Sequence, residues 1–152
     1  MLTPLRDEDS PTLFAWINDR ELVELSATFR PVTEGEHARW FAAIRRRDDV
    51  EIFGIRQMTD GRLVGSCQLN DIDRGAGTAQ LQIRIGERDA WGRGYGTEAV
   101  RLLVRHAFEE LELNRVDLHV FATNERAIRA YEKAGFVREG EADRIVRMAI
   151  QS

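Results

Sequence analysis

Apolar and polar residues alternate along several short stretches of the chain, which is the pattern of half-buried β-strands. The alternation is clearest where Leu81, Ile83 and Ile85 fall on one face of a strand. Thr59 to Arg62, which contains an Asp-Gly pair, predicts a hairpin turn between two such strands. Six strands are predicted: Leu2 to Arg6, Val50 to Met58, Leu63 to Ile72, Thr78 to Ile85, Val116 to Val120 and Ile145 to Ile150.

Four stretches predict helices. Ser10-Pro11 supplies an N-cap and a first helical residue for the first helix, and Thr33 with Glu36 forms a capping box that opens the second. Asn124 to Ala134 predicts the last helix, which Gly135 ends. The third helix has the i, i+3, i+4, i+7 spacing of an amphipathic helix, shown by Val100, Leu103, Val104, Ala107, Phe108 and Leu111.

In chain order these elements run βααβββαβαβ. This order predicts a mixed α/β (α+β) fold in which helices cover a largely antiparallel central sheet. The 152 residues are 43% apolar and 32% charged, which is typical of a soluble globular chain. We therefore expect one domain that spans residues 1–152.

Charge and composition exclude several classes of partner. The formal net charge of −4 disfavours nucleic acid and weakly favours a cationic small molecule or peptide terminus. No apolar run approaches the roughly 18 residues of a membrane helix, and the N-terminus lacks the core of a signal peptide. The histidines lack metal-ligand spacing, so no metal is expected. The single Cys67 predicts a buried strand residue in a reducing, cytoplasmic compartment, and either a monomer or a homodimer is compatible with the sequence.

A glycine-rich segment, Trp91 to Thr97, joins a predicted strand to a predicted helix. Gly92, Gly94 and Gly96 let backbone N–H groups approach an anion closely, and the helix N-terminus adds unpaired donors. These features predict a diphosphate cradle, with Arg93 adding a charge at its mouth. The dinucleotide fingerprint fits poorly because Thr97 replaces its third glycine, and a mononucleotide P-loop requires a lysine that is missing. A plain glycine-rich turn is the structural alternative.

A second cluster runs from Asn124 to Phe136. Asn124 is a good N-cap, and Ala127, Tyr131 and Ala134 share one stripe of the helix. The small alanines beside a tyrosine suggest that a ligand passes close to this face. Ordinary helix packing around a buried tyrosine is the alternative interpretation.

The two clusters together resemble the GNAT superfamily of N-acetyltransferases. The loop from Trp91 to Gly96 resembles that family's Gln/Arg-x-x-Gly-x-Gly/Ala loop, with Trp91 in place of Gln or Arg. The second cluster resembles the Asn-x-x-Ala-x-x-x-Tyr-x-x-x-Gly-Phe element, and it matches at Asn124, Ala127, Tyr131, Gly135 and Phe136. The tryptophan before the loop is similar to the branch of ribosomal-protein N-terminal, spermidine and aminosugar acetyltransferases.

The resemblance implies an enzyme that uses acetyl-CoA as cosubstrate and needs no metal. Acetyl-CoA would lie in a gap between Thr78 to Ile85 and Arg115 to Phe121, where two parallel strands splay apart. Tyr131 would donate a proton to the departing CoA thiolate. The cofactor-binding residues implied by the resemblance are Ile83, Arg84, Ile85, Trp91, Gly92, Arg93, Gly94, Tyr95, Gly96, Thr97, Asn124, Ala127, Tyr131 and Lys133.

The general base and the acceptor pocket depart from the family's pattern. Many relatives have an Ala-Glu pair on the strand before the loop, but here the pair is Ala79-Gln80, and glutamine cannot accept a proton. A water chain, a carboxylate between Glu24 and Glu36, or direct binding of the neutral amine are the open replacements. The hairpin after Phe136 is also shorter than in many relatives. The expected acceptor residues are Phe29, Glu34, Gln80 and Gln82.

Three functions remain open at this point. The first is acetylation of a primary amine on an aminosugar, polyamine or antibiotic, and the second is acetylation of a protein N-terminus such as that of a ribosomal protein. The third is a non-catalytic acetyl-CoA-binding sensor. The presence of Tyr131 argues against a sensor, whereas the glutamine at Gln80 argues mildly for one.

Overall fold

The computed structural model describes residues 1–152 and contains one seven-stranded sheet in the order β1-β2-β3-β4-β5-β7-β6. All neighbouring strands are antiparallel except β4 and β5, which are parallel. The strands are β1 Leu2–Pro4, β2 Glu51–Arg56, β3 Leu63–Asp73, β4 Thr78–Ile85, β5 Arg115–Phe121, β6 Val137–Ala142 and β7 Ile145–Gln151. The architecture confirms the expected mixed fold with a largely antiparallel sheet.

Five α-helices flank the sheet. They are α1 Ser10–Ile17, α2 Arg20–Val23, α3 Glu34–Ile44, α4 Tyr95–Arg105 and α5 Glu125–Lys133. The capping box at Thr33 and the cap at Asn124 are both present, as the sequence predicts. Helix α4 continues into a π-helical turn at His106–Glu110. None of the helices has the length and apolar character required to cross a membrane.

The sheet has a different cover on each face. The larger core packs α4 and α5 against one face, and it includes Ala79 and Leu81 of β4. A smaller core packs α1, α2 and α3 against the other face, where Leu63 of β3 takes part. Because side chains alternate along a strand, Gln80 and Gln82 of β4 lie on this second face. The middle of the second face is therefore polar.

Two elements were not predicted. The edge strand β6 has the sequence Val137-Arg-Glu-Gly-Glu-Ala, and most of its side chains are exposed. An edge strand with both faces in solvent needs no alternation of apolar and polar residues, so no periodic signal marks it. Helix α2 has only four residues, and Asp19 caps it by accepting a hydrogen bond from the backbone N–H of Leu22 at 3.2 Å.

A buried ion pair ties the first helix to the sheet. Arg56 of β2 donates to the Asp9 carboxylate at 2.5 Å, and both side chains are only 4% exposed. Arg56 also donates to Thr3 Oγ1 at 2.8 Å, and the backbone N–H of Arg6 donates to Asp9 at the same distance. The paired charges thus have further hydrogen-bond partners, as buried charges require. Cys67 is buried in β3, which confirms its interpretation as a strand residue.

Candidate active site

A gap opens between the two parallel strands. β4 and β5 pair at three positions only, Thr78 with Arg115, Ala79 with Val116, and Gln80 with Asp117. Both strands then continue for four or five residues without pairing with each other. Backbone N–H and C=O groups that face the gap therefore have no partner in the sheet and are available to a ligand.

The glycine-rich segment lies between the end of β4 and the start of α4. Gly92 and Gly94 have φ values of 75° and 85°, a region that side chains other than glycine rarely adopt. A Cβ atom placed on Gly92, Gly94 or Gly96 would meet no protein atom within 4 Å, so the backbone faces open space. Gly94 is the N-cap of α4 and provides no side-chain cap, which leaves the first N–H groups of the helix free. This geometry fits a diphosphate.

Trp91 holds the glycine-rich segment in place. Its indole N–H donates to the carbonyl of Ile85 at 2.8 Å, which fastens the segment to the end of β4. The guanidinium of Arg126 lies 4.0 Å from the centre of the Trp91 ring, and that of Arg88 lies 5.7 Å away. Sequence reasoning missed Arg126, because a stacking contact between two elements 35 residues apart has no local signal. Arg126 adds positive charge close to the cradle.

Asn124 connects α5 to the opposite layer of helices. Its Oδ1 accepts a hydrogen bond from the backbone N–H of Ala127 at 3.3 Å, and its Nδ2 donates to the carbonyl of Leu25 at 3.2 Å. Both ends of the side-chain amide are therefore occupied by protein partners. Asn124 orders the chain beside the gap, and its role in binding acetyl-CoA remains a prediction.

Tyr131 combines a buried ring with a free hydroxyl. The ring packs 5.9 Å from the ring of Phe136, and only 6% of the residue is exposed. Its hydroxyl has no hydrogen-bond partner in the protein. Only two polar side-chain atoms are both fully enclosed and without a partner, Asn70 Oδ1 and Arg84 Nε, so the Tyr131 hydroxyl is not fully enclosed. Burial raises the pKa of the Tyr131 phenol well above its usual value. The hydroxyl is therefore protonated at neutral pH and free to donate.

The second face of the sheet, against which α1, α2 and α3 pack, carries polar side chains in register in its middle. Ser66 pairs with Arg84, Gln68 with Gln82, and Asn70 with Gln80 across β3 and β4. We call these six residues the polar face. Burial lowers the pKa of the Arg84 guanidinium, and its Nε has no partner in the protein. A polar acceptor could satisfy these unpaired groups.

The polar face does not include Phe29 or Glu34, two of the four residues expected to bind the acceptor. Phe29 lies under the guanidinium of Arg20 at 5.8 Å, and Glu34 is exposed in the first turn of α3. No hydrogen bond or ion pair connects either residue to Gln80 or Gln82. Their role in acceptor binding remains a prediction.

His37 and Lys133 lie at the margins of the site, and Lys133 is one of the expected cofactor-binding residues. His37 is buried and hydrogen-bonds Ser10 at 3.1 Å, so it does not face an acceptor. Lys133 is exposed at the end of α5, where its carbonyl accepts from Arg101 at 3.0 Å. The structure holds no cluster of three His, Cys, Asp or Glu side chains suited to a metal ion.

A strand gap that ends in a glycine cradle at a helix N-terminus is a site suited to the diphosphate of an extended cosubstrate. Residues 1–137 match the family model described as an acetyltransferase (GNAT) domain. The chain therefore belongs to the GNAT acetyltransferase family. The family, the fold class and the enzyme class expected from the sequence are confirmed.

Relatives and solved structures agree with this assignment. The protein named "Probable N-acetyltransferase YjcK" of Bacillus subtilis (strain 168) is 39% identical over 102 residues, which cover 67% of this chain and 56% of that protein. The "Aminoglycoside N(6')-acetyltransferase type 1" of Klebsiella pneumoniae is 25% identical over 160 residues, with coverage of 90% and 73%. The fold matches spermidine N-acetyltransferase from Vibrio cholerae in complex with CoA and spermine, with a TM-score of 0.87, 22% identity, and coverage of 99% and 94%. The match to YjcK thus spans little more than half of that relative's length.

Proposed function

We propose that this protein transfers the acetyl group of acetyl-CoA directly to a primary amine on a small, polar, hydroxyl-bearing molecule such as an aminosugar. One observation carries the choice of acetyl-CoA: β4 and β5 separate after three residue pairs, β4 leads into the open cradle at Gly92 to Thr97, and β5 leads into α5, which carries Tyr131. The solved Vibrio cholerae structure of the same fold contains CoA, which supports the choice of cosubstrate.

The residues around the gap fit acetyl-CoA. Backbone N–H groups from Gly92 to Thr97 hold the diphosphate, and Arg93 and Arg126 add positive charge. Ile83 offers backbone groups to the thioester end, since β4 pairs only with β3 at this position and its β5 side is free. When bound, acetyl-CoA supplies the thioester carbon that the amine attacks. A backbone N–H that β4 leaves unpaired stabilises the negative charge that develops on the carbonyl oxygen.

Tyr131 then supplies the proton that the leaving sulfur requires. Its pKa is raised by burial, so the phenol holds its proton until charge develops on sulfur. Its hydroxyl has no competing partner in the protein. No covalent intermediate with the enzyme is needed, because the amine attacks the thioester directly.

The polar face supports a hydroxyl-bearing acceptor. Three of its six side chains are glutamines, one is an asparagine, and its only charged member is Arg84. Amides exchange hydrogen bonds with hydroxyl groups, whereas a polyamine needs several carboxylates to balance its charges. The aminoglycoside acetyltransferase among the relatives acts on a molecule of this hydroxyl-rich class, as its name states.

A panel of amines tests this function. CoA release from acetyl-CoA is measured with glucosamine, an aminoglycoside, spermidine and a peptide from a ribosomal-protein N-terminus. We expect the highest kcat/KM with glucosamine or the aminoglycoside. A higher value with spermidine or the peptide would contradict the proposed acceptor class. Tight acetyl-CoA binding by calorimetry without turnover on any amine would contradict catalysis and leave the sensor function.

A further inference from the structure

One row of side chains crosses the sheet at the point where the gap begins. Asn70 of β3 pairs with Gln80 of β4, which pairs with Asp117 of β5. This is the last row before β4 and β5 separate. Val116 and Leu118 point into the core beneath α4 and α5, so Asp117 between them lies on the same face as Gln80. Neighbouring strands are about 4.8 Å apart, which brings the two side chains together.

Asp117 is a carboxylate without a hydrogen-bond partner. The nearest cation, Arg115, has its Nε 3.8 Å from Asp117 Oδ2, but it directs both terminal nitrogens of its guanidinium to Glu139 of β6. The Asp117 side chain is 32% exposed, so it is reachable from solvent yet partly enclosed. It is the only carboxylate in the row and lies on a strand that borders the gap, whereas the Asp71 carboxylate contacts the Asn70 amide at 3.3 Å, at the β3 end of the row.

The other ionisable groups around Asp117 lie outside the row in which the gap begins. His119 is two residues along β5, is exposed, and pairs with Arg147 of β7. Arg84 lies two rows along β4 from Gln80. Ala149, the partner of Asp117 on β7, carries no charge. Asp117 is therefore the proton acceptor in the row where the gap between β4 and β5 begins.

We propose that Asp117 removes the proton from the acceptor amine, and that Gln80 and Asn70 hold the water or amine beside it. This assignment rests on the proposed function. Asn70 Oδ1 is enclosed and unpaired, so it can accept a hydrogen bond from that water or from the Gln80 amide. A carboxylate on the strand opposite Gln80 thus supplies the acid–base group that a glutamine cannot.

The proton transfers balance as follows. An N–H bond of the ammonium breaks, its electron pair stays on nitrogen, and the proton forms an O–H bond on Asp117, directly or through one water. The neutral amine forms the C–N bond while the C–S bond breaks, and Tyr131 gives its proton to sulfur. The nitrogen then loses its second proton to the Tyr131 oxygen through water, and Asp117 releases its proton to solvent.

The test compares four variants with the wild type. Asp117→Asn removes the base and keeps the shape of the side chain. Gln80→Glu combined with Asp117→Asn returns a carboxylate from the neighbouring strand. His119→Gln removes the other titratable group of β5, and Glu109→Gln, an exposed carboxylate with no partner on the far end of the helical layer, is the matched control. The pH profile of kcat/KM, the acetyl-CoA Kd and the Tm are measured for each.

For Asp117→Asn we expect kcat/KM at pH 7 to fall about 100-fold or more, since general bases contribute about 10²–10⁴-fold. The remaining activity should rise with pH as free amine accumulates in solution, while the Kd and Tm stay unchanged. Adding Gln80→Glu to Asp117→Asn should raise kcat/KM at least about tenfold, which is about 1.4 kcal/mol of barrier. Glu109→Gln and His119→Gln should match the wild type.

Three results would overturn the assignment of Asp117 in an active enzyme. The first is an Asp117→Asn variant with wild-type kcat/KM and pH profile. The second is a loss of activity that tracks a lower Tm and is not recovered by Gln80→Glu, which would indicate a structural role. The third is a larger loss in His119→Gln, which would move the base to the histidine. A wild type that acetylates no amine instead contradicts the proposed function, so the two failures are distinguishable.

Discussion

Replacing Tyr131 with phenylalanine separates the chemistry of its hydroxyl from the packing of its ring. Tyr131 is only 6% exposed as part of the main core, and the contact of its ring with Phe136 remains in the variant. None of the side-chain hydrogen bonds of the structure involves this hydroxyl, so the substitution removes no hydrogen bond from the folded protein. A hydroxyl with a structural partner would cost about 1 kcal/mol. We therefore expect Tyr131→Phe to have the Tm of the wild type.

The rate should respond quite differently. Loss of a general acid lowers the rate by about 10²–10⁴-fold, which is about 3–5 kcal/mol of barrier. The loss should appear in kcat, because the proton matters only as charge develops on sulfur. Since burial raises the pKa of Tyr131, the wild-type kcat should show no fall assigned to its ionisation between pH 7 and about 10, the usual pKa of a tyrosine.

The assay measures CoA release with one amine, together with thermal unfolding and acetyl-CoA calorimetry. Phe136→Leu is the matched control, because it removes ring area from the same contact and leaves the hydroxyl in place. Its Tm should fall while its kcat stays close to the wild type. If Tyr131→Phe instead unfolds at a lower temperature and keeps near-normal kcat, the reasoning is refuted and water is the proton donor.

Three further changes test the cradle, the buried ion pair and the cysteine. Gly94→Val places a branched side chain at φ 85° in the open cradle. It should raise the acetyl-CoA Kd measured by calorimetry at least about tenfold, or about 1.4 kcal/mol. Gly61→Val, at φ 74° in a remote turn, should strain the backbone equally and leave the Kd unchanged. Arg56→Met removes the cation that pairs with the buried Asp9 and should cost about 3–5 kcal/mol in urea unfolding. A cost below about 1 kcal/mol would mean that the pair is not buried in solution. Burial raises the pKa of the Cys67 thiol to about 12, so iodoacetamide at pH 8 should label the unfolded protein only, and rapid labelling of the native protein would contradict the burial of β3.

Local patterns were sufficient to predict most of the elements and the unusual backbone of the glycine-rich segment. The alternation at Leu81, Ile83 and Ile85 sets both the strand and the face that it buries. The glycines at Gly92 and Gly94 mark backbone that only they adopt easily, and both have positive φ. These signals depend on a residue and its close neighbours in the sequence, which is why they can be found without the fold.

Features that depend on pairing between distant segments could not be predicted. The ion pair of Asp9 with Arg56 joins residues 47 positions apart, and nothing in either neighbourhood indicates it. The position of Asp117 beside Gln80 depends on the register of two parallel strands, and a shift of one residue would turn it into the core. Asn124 was correctly predicted as a cap, but its bond to Leu25 crosses 99 residues.

The brief contact between β4 and β5 divides the sheet into two antiparallel halves. β1 to β4 form one half and β5, β7 and β6 form the other, and within the sheet only three residue pairs join them, while the core beneath α4 and α5 spans both halves. Strands that separate leave amide groups facing water, and a ligand arm that inserts between them can restore the missing bonds. Acetyl-CoA would then act as an additional strand that hydrogen-bonds to both halves of the sheet. Bound acetyl-CoA should therefore slow amide hydrogen exchange at Leu81 to Ile85 and at Leu118 to Phe121.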